Sequence, residues 1–292
     1  MRWTERRERF RALLAGTRCI YPASVFDPVS ARIAEDLGFE LGMLAGSVAS
    51  LVVLGAPDLT LITLTELAEQ AHRICRAGNL PLLVDADHGY GNALNVMRTV
   101  EELESAGVAA LSIEDTALPP AYGAGGQVKL LSIEEGAGKM KAALAARRDP
   151  RLIIAGRTSA MSVSGIEDTL ARARAYAAAG VDVLFLIGVR TRGELDAIRA
   201  ACRIPLLLGG VGPELADRDY LSARGVRVCL QGHQPFMAAV AAVRDTMKAL
   251  REGTPGAKPA GVAPAELMRQ VSREADYARW AEEFLGSPKS KE

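Results

Sequence analysis

The sequence lacks paired cysteines, a surplus of charge of either sign, and any unbroken apolar run long enough to cross a membrane. Each absence removes a class of protein. Cys19, Cys75, Cys202 and Cys229 are widely separated, with no C-x-x-C spacing. They fit buried thiols in a reducing, cytoplasmic compartment better than a disulfide framework or a zinc site. The 35 basic and 35 acidic residues cancel, leaving no overall field to gather nucleic acid or an anionic membrane surface. The expected partner is a small molecule. The long uncharged stretch from Leu41 to Pro57 is interrupted by Gly42, Gly46, Ser47, Ser50 and Gly55, whereas a membrane span wants about 20 predominantly apolar residues. It reads as a buried strand followed by a loop. Residues 1–10 are polar and Arg-rich, without the apolar centre of a secretory signal.

What is present is a repeat. Eight short apolar runs recur along the 292 residues: 19–21, 41–44, 82–84, 109–113, 152–154, 183–187, 206–208 and 226–230. Most are continuously apolar rather than alternating, as parallel strands covered on both faces must be. Amphipathic helical segments lie between them. Thr63 with Glu66, Ser132 with Glu135, and Thr191 with Glu194 have capping-box spacing, in which hydroxyl and carboxylate satisfy first-turn N–H groups. Gly38, Gly78, Gly107, Gly180 and Gly225 suit the left-handed position that ends a helix. Eightfold alternation of strand and helix predicts an α/β fold, a (β/α)8 TIM barrel forming a single domain over 1–292. An N-terminal helix around Thr4–Ala15 lies outside the repeat. So does a C-terminal helical extension from about 253 to 292, made of a Gly/Pro/Ala-rich linker and an apolar segment at Ala265–Phe284. The extension is predicted to cap its own barrel or to be swapped between subunits.

Catalytic groups of such a barrel project from the C-terminal ends of its strands. Strand three runs into Asp85-Ala86-Asp87-His88-Gly89-Tyr90-Gly91, and strand four into Glu114-Asp115-Thr116. Asp85 and Asp87, two apart on an extended segment, share a face, and Glu114 comes from the next strand. Three converging carboxylates repel unless a hard cation compensates them, and oxygen ligands of this kind suit Mg²⁺, with Mn²⁺ as the alternative. Arg157 follows strand five and is placed to clamp a carboxylate or enolate oxygen; a structural ion pair to a barrel carboxylate is the competing role. His233 follows strand eight and is compatible with either the basin or the core. His88 is expected to face away from it. Gly46 and Ser47 follow strand two, where they form either a plain turn or a backbone cradle for an anion. The glycines at 209, 210 and 212 are a weak candidate for a phosphate cradle. No strand end carries the lysine of a Schiff-base aldolase.

The run Asp85–Val96 followed by Ser112-Ile113-Glu114-Asp115-Thr116 resembles the isocitrate lyase and phosphoenolpyruvate mutase superfamily, and most of all its bacterial oxaloacetate decarboxylase branch. The likeness extends from about Ser24 to the end of the barrel. It implies Mg²⁺-dependent decarboxylation of oxaloacetate, an α-keto dicarboxylate, to pyruvate and CO₂ through a metal-stabilised enolate. The resemblance also implies that Ser47, Arg157 and His233 contact substrate, that Asp85 binds the metal directly, and that Asp87 and Glu114 act through its waters. For His233 it suggests handling the departing carboxylate or the proton. It further implies a homotetramer built from dimers that exchange a C-terminal helix. The residues 118–126 hold no cysteine, unlike the isocitrate-cleaving lyases. Ser159 and Val211 depart from the branch's pattern and leave open a related lyase or hydrolase acting on another substituted dicarboxylate, or a non-catalytic relative.

Overall fold

The computed structural model describes residues 2–123, 125–256 and 259–286. Ala124 of the 118–126 loop, residues 257–258 of the linker and residues 287–292 of the extension lie outside them. The described chain forms two compact units, 1–233 and 234–292.

In the first unit the elements run α1 (Arg2–Ala15), β1 (Ala23–Ser24), α2 (Pro28–Asp36), β2 (Gly42–Leu44), α3 (Gly46–Leu54), α4 (Leu64–Ala77), β3 (Leu82–Asp85) and α5 (Ala93–Ala106). They continue with β4 (Ala110–Glu114), α6 (Ile133–Ala146), β5 (Ile153–Thr158), α7 (Ala160–Val163), α8 (Ile166–Ala179) and β6 (Val183–Leu186). The unit ends with α9 (Arg192–Ala201), β7 (Leu206–Leu208), α10 (Arg218–Ala223) and β8 (Val226–Cys229). The second unit holds α11 (Gln234–Arg251), α12 (Ala265–Ser272) and α13 (Glu274–Leu285). No helix among the described residues is long and apolar enough to cross a membrane.

The eight strands are parallel and adjacent in chain order, the arrangement of a (β/α)8 barrel. Ile20 bridges to Val228 in parallel, so the first and last strand regions meet. The first apolar run therefore serves the barrel seam at Ile20, while the strand itself begins at Ala23. The capping boxes at Thr63/Glu66 and Thr191/Glu194 form as expected, whereas Ser132 accepts from Glu135 N without the return bond. Gly38, Gly107, Gly180 and Gly225 take positive φ, but Gly78 is extended at φ −160. Residues 46–54 are a helix rather than the expected loop. Gly46-Ser47-Val48-Ala49-Ser50 is mostly buried and nearly uncharged, so no polar face marked its helical period. The extension is two helices, because Arg273 adopts φ 62 and breaks the run.

Strand alternation sorts the core into two layers. Leu82, Val84, Leu111, Ile113, Ile154, Leu184, Leu206 and Leu208 pack outward under the helices. Leu83, Ala110, Ile153, Ala155, Val183, Phe185, Leu207 and Val228 form the second, lumen-facing cluster, which also includes Phe10 and Leu14 of α1. The N-terminal helix is therefore part of the barrel's inner core. Phe10 is fully buried. Phe10→Ala is expected to lower unfolding free energy by about 3–5 kcal/mol, read by urea denaturation, through loss of packing inside the barrel.

Candidate active site

Above the apolar lumen layer the same alternation carries charge. Glu114 on β4 lies in register with Arg157 on β5, and Asp85 on β3 with Ser112 on β4. Cross-strand partners share a face. A cavity of about 270 Å³ opens there, lined by Asp85, Asp87, Glu114, Arg157, Ser47 and His233. Met43, Leu118, Phe185, Ile187 and Leu230 give it an apolar wall. Six of the seven site residues expected from sequence therefore line one cavity.

The seventh, Gly46, explains a neighbour. A Cβ at Gly46 would lie 2.6 Å from Asp87 Oδ1, so the glycine lets the Asp87 carboxylate pack against the first turn of α3. Ala45 gives that helix no side-chain cap. The helix starts at the acidic cavity with its positive end and unsatisfied N–H groups. Asp87 has φ 46, so it reaches the cavity through a left-handed turn after the strand ends at Asp85, rather than through the extended pleat expected from sequence.

Arg157 is ion-paired inside the site. Its Nη1 contacts Asp85 Oδ2, and its Nε lies 3.1 Å from Glu114 Oε2 without an aligned hydrogen bond. Ser112 Oγ donates to the other Asp85 oxygen at 2.8 Å. Among the described residues no three His, Cys, Asp or Glu side chains form a ready metal cage. The three acids share the cavity as expected, but the guanidinium holds two of them.

Two residues that sequence reasoning missed, Asp58 and Thr60, also line the cavity. Asp58 is the first charged residue after Glu40, and that was the available signal. Four carboxylates thus face one guanidinium. Burial, then the charges of Asp85, Glu114 and Asp58, push Asp87 up to about 8. Burial raises Glu114 to about 7, against the pull of Arg157. Burial and Asp85 raise Asp58 as well. Burial opposes the charge on Arg157, yet Asp85 and Glu114 more than offset it and raise its pKa. This surplus of negative charge on hard oxygen donors fits a divalent cation.

His233 Nδ1 is 3.0 Å from Ser24 Oγ. Burial lowers its pKa despite Asp85, which favours the uncharged imidazole. His88 does face away: it is buried, tilted against Tyr90 at 5.9 Å, and held down to about 4 by burial and Lys139. Neither Ser159 nor Val211 lines the cavity; Ser159 precedes α7, and Val211 packs on the outer core. Gly209 does line it, and a Cβ there would meet Ile187 Cδ1 at 2.1 Å, so close packing of β6 on β7 accounts for that glycine.

Residues 10–251 match the family model described as phosphoenolpyruvate phosphomutase. The chain belongs to that family. It is an enzyme of the phosphoenolpyruvate phosphomutase family, 58% identical over 289 residues to the oxaloacetate decarboxylase of Rhodopseudomonas palustris (strain BisB18), covering 99% of this chain and 100% of that one. Among solved structures of the family, an oxaloacetate acetylhydrolase in complex with the inhibitor 3,3-difluorooxalacetate matches with TM-score 0.84 and 29% identity, over 98% of this chain and 99% of that one. A phosphonopyruvate hydrolase in complex with oxalate and Mg²⁺ matches with TM-score 0.83 and 27% identity, over 96% and 98%.

The raised acids set a pH signature for the metal-free protein. A carboxyl whose folded pKa exceeds its unfolded value stabilises the fold at low pH, and that stability is lost as pH rises through the folded value. The lowered histidines act in the opposite sense, but only below about pH 7. Between about pH 7 and 8.5 the metal-free melting temperature should therefore fall. Saturating Mg²⁺ should restore it, and Asp87→Asn should flatten the slope.

Proposed function

We propose that this enzyme decarboxylates oxaloacetate to pyruvate and CO₂. The observation that carries the reading is the acidic cavity at the strand ends, in which the guanidinium of Arg157 and the imidazole of His233 face four carboxylates. The full-length likeness to oxaloacetate decarboxylase supports the same substrate.

Asp85, with Asp87 and Glu114 beside it, would hold the divalent cation, Mg²⁺ or Mn²⁺. Bound there, the cation supplies Lewis-acid compensation for the negative charge that develops on substrate oxygens. Arg157 holds a charge that Asp85 and Glu114 reinforce, so it stays a cation through the reaction and orients the C1 carboxylate. The α3 N-terminus with Ser47 offers N–H and hydroxyl donors to the same end of the substrate. The C3–C4 bond breaks, its electron pair passes into the C2–C3 unit, and CO₂ departs. A proton then adds at C3 to give pyruvate. His233, steadied by Ser24, contacts the departing C4 carboxylate, and burial disfavours a charge on it that would hold the carboxylate back. The apolar wall of Met43, Ile187 and Leu230 excludes water from the carbanionic carbon.

We further read the chain as one cytoplasmic (β/α)8 domain with a C-terminal extension, assembled as a tetramer of paired dimers that exchange that extension. The four cysteines are free and buried, as a reducing compartment allows. Helix α11 has no buried residue and leaves Met237, Val240, Val243 and Met247 exposed at helical spacing, an apolar stripe that a second subunit would cover.

Incubating the protein with Mg²⁺ and oxaloacetate should yield pyruvate well above the metal-only background, and Asp85→Asn should abolish the excess. Oxalate and acetate in place of pyruvate would favour the hydrolytic chemistry of the acetylhydrolase that shares the fold. Light scattering should report four chains per particle, and removal of 253–292 should reduce that number.

A further inference from the structure

The turn between β3 and α5 carries Asp87 into the cavity through four residues of positive φ, Asp87 (46°), Gly89 (75°), Tyr90 (60°) and Gly91 (148°). Two of these are not glycine, and such a backbone persists only where its surroundings over-determine it. The surroundings are visible at four successive carbonyl oxygens. Ala86 O accepts from Gly89 N at 2.9 Å within the turn, and Asp87 O accepts from Glu114 N of β4 at 2.8 Å. His88 O accepts from Lys139 Nζ of α6 at 2.6 Å. Gly89 O accepts from Thr99 Oγ1 of α5 at 3.0 Å. The turn is thus pinned residue by residue by itself, the next strand and two helices.

Lys139 is the unusual member of this set. It is 2% exposed, and its ammonium hydrogen-bonds a main-chain carbonyl 51 residues away rather than a carboxylate. Placing a charge out of water is expensive without a compensating partner. A neutral donor such as Thr99 satisfies the neighbouring carbonyl at far smaller desolvation cost. The ammonium lies within electrostatic reach of Glu135, Glu114 and Asp115, so it adds positive potential near Glu114 of the acidic cluster.

We infer that Lys139 is a positioning residue for the metal-holding acids: by clamping the His88 carbonyl it keeps the preceding Asp87 carboxylate turned into the cavity beside Asp85 and Glu114. This rests on the reading of those acids as the metal site, but not on the identity of the substrate. Outer-shell groups of this kind typically change metal affinity by about 10–100-fold.

The test is Mn²⁺ binding to substrate-free protein, followed by electron paramagnetic resonance, for wild type, Lys139→Met, Lys139→Arg and Lys139→Gln. Lys139→Met keeps the aliphatic stem and removes the donor, and it should weaken Mn²⁺ binding by about tenfold or more. It should also lower kcat on oxaloacetate more than it raises KM. Lys139→Arg, which retains charge and donor, should recover most of both. If Lys139→Met does not fold, Lys139→Gln stands in, since its amide ends one bond short of the carbonyl and should weaken Mn²⁺ in the same direction. Wild-type Mn²⁺ affinity in a folded Met or Gln variant overturns the inference. So does an arginine variant no better than methionine, with melting temperature falling in step with activity, because that marks a purely structural lysine. Wild-type protein that binds Mn²⁺ but releases no pyruvate overturns the decarboxylase reading alone.

Discussion

Charge imbalance in a small cavity at the strand ends is the constraint on which this structure turns. Asp58, Asp85, Asp87 and Glu114 converge on a single guanidinium, that of Arg157. Charges separated from water interact several times more strongly than at the surface, so the cluster cannot be fully ionised by itself. Burial first, and the neighbouring carboxylates after it, raise the pKa of Asp87 and Glu114 in the protein alone. Under the proposed function a divalent cation would relieve the imbalance and offset the charge of an anionic substrate. The same imbalance that burdens the metal-free fold would thereby favour binding of the proposed cation.

The scaffold exists to hold that cluster against its own repulsion. Parallel strands in register stack an apolar layer, closed with Phe10 of α1, beneath a charged one. Lumen-facing alternation places Glu114 beside Arg157 without further instruction. Asp87 requires more, because the strand has ended by then. Its left-handed turn is accommodated by Gly46, whose missing Cβ makes room for the carboxylate, and by hydrogen bonds from β4, α5 and α6. Asp115 behind Glu114 is paired with Arg172 and Tyr176 of α8, which adds a second buried brace to the strand that carries Glu114.

Much of this was legible in the residues. Seven of the eight strands overlap their apolar runs, because a strand covered on both faces is largely apolar, and β3, β4 and β5 run on past theirs into Asp85, Glu114 and Arg157-Thr158. Helix α3 was not legible for the same reason: residues 46–54 have little polar face, so nothing distinguished them from a buried strand and loop. Asp58 was missed because it follows that helix rather than a strand end. Val211 and Ser159 stood out as departures from the pattern of the resembled branch, yet neither lines the cavity.

The sequence by itself determined the barrel, the acidic strand ends, and the positions of Asp85, Asp87, Glu114, Arg157 and His233, because those follow from period and punctuation that are local along the chain. Only the tertiary structure decided how the charges are shared. That Arg157 pairs with Asp85 and Glu114, that Asp87 enters through a left-handed turn, that Asp58 joins them, and that Lys139 braces the turn from α6 are all contacts between distant segments. Their energies come from burial and proximity, and neither quantity exists until the barrel has formed.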